Sequence, residues 1–332
     1  MADTMAEWVK HLLPTNTPMP VKYDLKTGAA LEMKGVPFGD WRPAFDSSLI
    51  MHNGVKNHTL TLVLKIFYNQ LLGQSIPRNL SMHYIEAGTP PRMYIMRPWQ
   101  PGPWAEFLRG VKREAQKWNN KFYLIPPAGF SMLDVKVGSR TIRPNVYCHL
   151  HLEIMQNMAN AYHKIDVLNL DQQDMALQLG VREKQLNSGD SRSNAAQYDS
   201  LDTKNRIQTT TTESGAVVEA KNYSTIVHEL GHSIGLDHIS VTHQDPVCRM
   251  AILLDQMKPA GTTLPALFNG GVNGNACYGA FGKAVRGGNV MGGGTAFDES
   301  NAAPWAQRLA LHTNTKPEAW TVSMRPVDPK PV

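Results

Sequence analysis

The sequence predicts an α+β fold, and three runs of residues carry that reading. Leu60, Leu62, Leu64 and Ile66 alternate along residues 58–68, as on a strand with one buried face. Val146, Cys148, Leu150, Leu152 and Ile154 alternate in the same way along 146–155. Trp104, Phe107, Leu108, Val111, Ala115 and Trp118 instead recur at helical spacing, with Arg109, Lys112, Arg113 and Lys117 largely elsewhere around the helix.

Composition narrows the functional classes. The chain has 332 residues, 42% of them hydrophobic, enough for a sizeable core without disulfide staples. Its length suits two domains, or one with large insertions. With 26 Gly and 22 Pro, much of it should be loop. The net charge of +5 is mild, and no Lys/Arg block marks a nucleic-acid arm. No run approaches the ~18 apolar residues of a membrane helix. The expectation is therefore no nucleic-acid partner and no membrane span.

Residues 1–57 read as an irregular N-terminal extension, either a pro-segment or a delivery segment. Met1 to Pro20 lacks the apolar stretch of a conventional secretory signal, so a cytoplasmic protein, a leaderless export route or a chain that has lost its leader is expected. The main folded unit is expected over 58–320, with 321–332 as a C-terminal tail. Pro101-Gly102-Pro103 punctuates the start of the 104–118 helix. A strand over 122–125 follows and stops at Pro126-Pro127. Residues 163–170 read as a further strand. Residues 186–216, dense in Ser, Thr, Asn, Asp and Gly, form a long polar loop or ribbon.

On the 146–155 strand, Tyr147, His149, His151 and Glu153 share the polar face; a solvated face is the simpler reading than a metal site. Trp99 and Trp104 read as core. Of the three cysteines, Cys148, Cys248 and Cys277, the last two flank a glycine-rich segment and could pair in an oxidising compartment.

The chemistry concentrates in residues 222–240, NYSTIVHELGHSIGLDHIS. Four residues apart on a helix, His228 and His232 stand one above the other on one face, so both imidazoles can reach one ion. Glu229, beside the first of them, is angled toward a water on the ion rather than the ion itself. Gly235 can take positive φ and end the helix in a tight turn, after which His238 arrives as a third nitrogen ligand. Three protein nitrogens leave the fourth position of a tetrahedral zinc open, which is the catalytic arrangement. Ile226, Val227, Leu230 and Ile234 supply the apolar positions that bury the helix.

HELGHSIGLDH closely resembles the zinc-binding consensus of the metzincin metallopeptidases, and its wording is most like the matrixin branch. Asn289-Val290-Met291-Gly292 looks like the metzincin Met-turn, which sets a methionine beneath the three imidazoles. A helix over 304–313, with Pro304 in its first turn, follows it as in that family. The resemblance implies a twisted, mostly parallel sheet with the active-site helix in an N-terminal subdomain. It also implies an irregular C-terminal subdomain holding the Met-turn and a C-terminal helix. It implies an endopeptidase with one catalytic Zn²⁺ on His228, His232 and His238, Glu229 as general base, Met291 and Gly235 as structural supports, and a protein or peptide substrate.

The chain also departs from the family. The stretch from His238 to Met291 is much longer than in matrixins, and insert 258–290 should shape the cleft. Gly293 stands where the astacin and serralysin branches carry a tyrosine, so the family within the clan stays open. Phe38-Gly39-Asp40 resembles the short astacin pro-segment motif at one residue shorter spacing; a plain turn is the simpler reading. Residues 1–147 contain no Cys for a cysteine switch. Structural Ca²⁺ in the Asp-bearing loop 186–202 has no calcium-loop pattern behind it. His243 is a loop residue or a spare ligand. Two rivals remain: a non-enzymatic module in which zinc is only a staple, and a leaderless protease toxin carried by a secretion machine. An intact Glu229 speaks against the staple, which needs no base beside the metal.

Overall fold

A computed structural model describes residues 31–37, 44–51, 57–72, 74–75, 82–86, 92–179, 197–204, 206–211, 217–236, 289–291, 294–329 and 332. Three expectations fall outside these residues: the third ligand His238, the pair Cys248 and Cys277, and the Phe38-Gly39-Asp40 motif. So do His243 and most of insert 258–290.

The chain builds a mixed α/β structure around an eight-stranded sheet. β1 (Leu31–Pro37) and β2 (Ala44–Ile50) pair antiparallel, and β2 pairs antiparallel with β3 (Asn57–Gln70). The described part of the 1–57 segment is thus built into the main sheet. Phe45 and Leu49 are fully buried, and Asp46 pairs with Lys65 of β3 at 2.7 Å.

A three-stranded meander follows: β4 (Gln74–Ser75), β5 (Met82–Glu86) and β6 (Arg92–Met96). Helix α1 (Pro101–Ala115) comes next, starting at the expected Pro-Gly-Pro and continuing as a 3-10 turn to Trp118. Its Phe107, Val111 and Ala115 are buried. Trp99, Trp104 and Phe107 pack ring on ring at 5.1 to 5.7 Å, so these tryptophans join the core.

β7 (Tyr123–Ile125), the small hairpin β8 (Val135–Val137) and β9 (Arg140–Ile142), and β10 (Asn145–Ile154) complete the crossover. β10 runs parallel to β3 over ten residue pairs, from Asn145 beside Asn57 to Ile154 beside Ile66. Parallel neighbours need such a crossover, and α1 lies within it. The apolar alternation reads as expected: Leu60, Leu62, Leu64, Ile66, Val146, Cys148, Leu150 and Leu152 are buried. On the opposite face His151 is exposed and His149 half-buried beside Thr61.

β11 (His163–Leu168) extends the same sheet parallel to the far end of β3. Helix α2 (Gln172–Leu179) and β12 (Gln197–Asp199), parallel to β11, follow. Within the polar ribbon, β13 (Arg206–Thr211) and β14 (Val217–Tyr223) form an antiparallel hairpin that leads directly into α3 (Thr225–Ser233). α4 (Ala303–Thr313) and β15 (Thr321–Ser323), paired antiparallel with β7, close the chain.

The sheet is mixed rather than mostly parallel, with three parallel and four antiparallel pairings. The physical reason lies at its two edges. β1 and β2 join as a short-loop antiparallel run, and β15 returns antiparallel on β7, a closure that needs no crossover. One core unites the apolar sheet face with α1, α3 and α4, through Val111, Trp118, Leu230, Trp305 and Leu309 among others. No helix of the described residues is long and apolar enough to cross a membrane.

Candidate metal centre

α3 is short, so its place depends on what holds its two ends. At the N-terminus the Ser224 carbonyl accepts the His228 N–H at 3.1 Å and starts the helix. The Ser224 hydroxyl makes no cap bond; it donates to the buried Glu114 carboxylate of α1 at 2.5 Å. In mid-helix the Val227 carbonyl accepts the Trp118 indole N–H at 3.1 Å.

At the C-terminus Gly235 adopts φ of 97°, a conformation that any residue carrying a Cβ resists. The Gly235 N–H reaches the His232 carbonyl and the Leu236 N–H reaches the Gly231 carbonyl, each at 2.9 Å. These two bonds make a Schellman motif. The turn brings the Leu236 carbonyl back onto His232, whose Nδ1–H donates to it at 2.7 Å.

His228 is held the same way from another part of the chain: its Nδ1–H donates to the Val290 carbonyl at 2.7 Å. A carbonyl can only accept, so both rings carry a proton on Nδ1, which leaves Nε2 as the lone-pair nitrogen of each ring in its neutral form. The two Nε2 atoms stand 3.1 Å apart with the rings near perpendicular at 85°. Two nitrogens each ~2.0–2.1 Å from a tetrahedral zinc are separated by about 3.3 Å. The pair therefore fits a shared cation, with the carbonyl partners that orient metal-ligating imidazoles. Burial, with His232 nearby, lowers the His228 pKa to about 3 and keeps its ring neutral, the form that ligates a metal.

Met291 lies directly beneath α3. A Cβ placed on Gly231 would stand 2.2 Å from the Met291 sulfur and 3.1 Å from the Trp118 ring. Only glycine lets the sulfur approach the helix backbone at that point. Glu229, next to His228 in the helix, is buried, and desolvation, aided by the Asp202 carboxylate, pushes its carboxyl well above the usual carboxylate range.

The structure thus brings together His228 and His232, with Gly235 ending their helix, Met291 packed against it at Gly231, and Glu229 next to His228 in the chain. It does not describe His238, and among the described residues no group of three or more His, Cys, Asp or Glu converges to hold a metal. Cys148 is buried away from this site, where desolvation raises its thiol pKa. The reading of the motif alone missed the supports: the carbonyls of Val290 and Leu236, the Glu114–Ser224 bond, the Trp118 indole and the buried Asp202. The Gly235 turn is the one signal that could have pointed to Leu236; the rest are set by distant segments. Comparison with protein-family models, with curated proteins and with solved structures finds no match to this chain.

Proposed function

We propose that this chain is a metzincin-like, zinc-dependent endopeptidase that hydrolyses peptide bonds in protein substrates. The observation that carries the reading is the facing pair of imidazole Nε2 atoms, 3.1 Å apart, with both Nδ1–H groups tied to main-chain carbonyls. Two ring nitrogens this close need a positive charge between them, and a metal ion is the one that the motif supplies ligands for. His228 and His232 would hold the ion, with His238 of the same motif as the third ligand. Zinc, when bound, supplies Lewis acidity toward the scissile carbonyl and acidifies water.

Glu229 acts as the proton carrier. Its carboxylate accepts the proton of the attacking water and returns it to the nitrogen of the leaving amine. The full burial of Met291 supports a rigid floor under the ligands rather than a role in proton transfer. Substrate would lie along a strand edge, adding main-chain hydrogen bonds.

The test compares wild type with Glu229→Ala on a mixed proteome, reading new peptide termini by mass spectrometry and bound zinc by elemental analysis. New termini from wild type alone, with zinc bound at one equivalent in both, is the expected result. Equal numbers of new termini from both proteins, or none from either, would overturn it.

A further inference from the structure

Asn289 and Asn301 are buried, at 3% and 0% exposure, and their side-chain amides pair with each other. Asn289 Nδ2–H donates to Asn301 Oδ1 at 2.9 Å, and Asn301 Nδ2–H donates back to Asn289 Oδ1 at 3.2 Å. Each oxygen also serves a main-chain donor. Asn301 Oδ1 accepts the Asp298 N–H at 3.0 Å, and Asn289 Oδ1 accepts the Met291 N–H at 2.8 Å.

The last bond has a consequence for the metal centre. The Met291 N–H and the Val290 carbonyl belong to one planar peptide unit, and in the trans form they point in opposite directions. Asn289 holds the N–H end of that plate. The carbonyl end therefore points away from Asn289, to the His228 Nδ1–H at 2.7 Å. The surrounding turn is closed by the Gly294 N–H on the Asn289 carbonyl at 3.0 Å and the Val290 N–H on the Ala296 carbonyl at 2.7 Å. Those two bonds fix where the turn lies, and the amide pair fixes the rotation of the plate.

We propose that Asn301, acting through Asn289, is a positioning residue for His228: the amide pair orients the Val290 carbonyl, which holds the ring as its Nδ1–H tautomer with Nε2 presented to the metal. The inference rests on the reading of His228 as a ligand. Asn suits this role because one buried side chain must both donate and accept. An apolar residue at 301 would leave the Asn289 amide N–H buried without its acceptor, and the amide would turn to find another.

The test uses the full chain with Asn301→Ala and Asn301→Ser, and Thr315→Val as the control. Thr315 is equally buried and accepts the Trp320 indole N–H at 2.7 Å, with no bond to the turn. Three quantities are read: the melting temperature, the His228 tautomer in the metal-free protein by long-range ¹H–¹⁵N NMR, and affinity for Co²⁺ and Zn²⁺ by chelator competition. Outer partners of metal ligands typically carry about 10–100-fold in affinity. The expected result is a mixed His228 tautomer and at least a tenfold loss of Co²⁺ affinity in the Asn301 variants, against less than twofold in Thr315→Val. The serine variant decides the point if the alanine variant does not fold. Variants that keep the Nδ1–H tautomer and bind Co²⁺ within twofold of wild type would overturn the inference alone. Wild-type protein that binds neither Co²⁺ nor Zn²⁺ would overturn the ligand reading and this inference with it.

Discussion

His228 and His232 face each other across 3.1 Å between their Nε2 atoms, one ring anchored locally and the other by a carbonyl 62 positions along the chain. That asymmetry predicts different behaviour on substitution. If the pair holds zinc as proposed, His228→Ala and His232→Ala should each lower zinc affinity by about 100-fold or more, since each removes one of the proposed nitrogen ligands. His228→Ala should also release the Val290 carbonyl and loosen the Met291 turn. Chelator competition measures the first effect, and amide hydrogen exchange at Met291 and Gly294 the second.

Gly231→Ala should destabilise the fold. The new Cβ would meet the Met291 sulfur at 2.2 Å and its methyl at 3.0 Å, with the Trp118 ring at 3.1 Å. Overpacking of this kind costs about 1–3 kcal/mol. Met291→Ala in the Gly231→Ala background should recover part of that loss. A double-mutant cycle in urea would read the coupling between the two positions.

The strands before residue 57 predict the outcome of truncation. β2 supplies Phe45 and Leu49 to the core, and its Ser47 hydroxyl bonds the His312 ring of α4 at 2.9 Å. A chain beginning at residue 52 should lose its cooperative thermal transition, followed by circular dichroism. Phe45→Ala in the full chain should cost about 3–5 kcal/mol, the usual range for a buried aromatic. A pro-segment model predicts the opposite: truncation that leaves the transition intact.

His312 predicts a pH dependence of stability. Burial, with the Arg308 guanidinium nearby, lowers its pKa from the usual 6.5 to about 3. The unfolded chain takes up a proton there below about 6.5, and the folded chain does so only near 3. Stability should therefore fall as pH drops from about 6.5 toward 3, with no contribution from this ring above 6.5. His312→Gln should flatten that part of the curve, read as the urea midpoint at pH 7 and pH 4.5.

Much of the secondary structure was legible because it repeats at short range. The alternation from Leu60 to Ile66 and from Val146 to Leu152 marks β3 and β10, and both bury those residues. The helical spacing of Phe107, Val111 and Ala115 marks α1. The edges of the sheet were less legible. β1 and β2 lie in a stretch rich in Pro and Gly, and their strand character comes from pairing with β3 rather than from a strong pattern of their own.

The sequence by itself determined that two histidines four apart, an adjacent glutamate and a terminating glycine would share one short helix, because helical geometry acts over a few residues. Only the tertiary structure decided which nitrogen each imidazole presents. That choice depends on carbonyls brought by a helix-ending turn and by a segment far along the chain, and on a buried amide pair that aims one of them. Hydrogen bonds between distant segments follow from packing in three dimensions, and no local pattern encodes their partners.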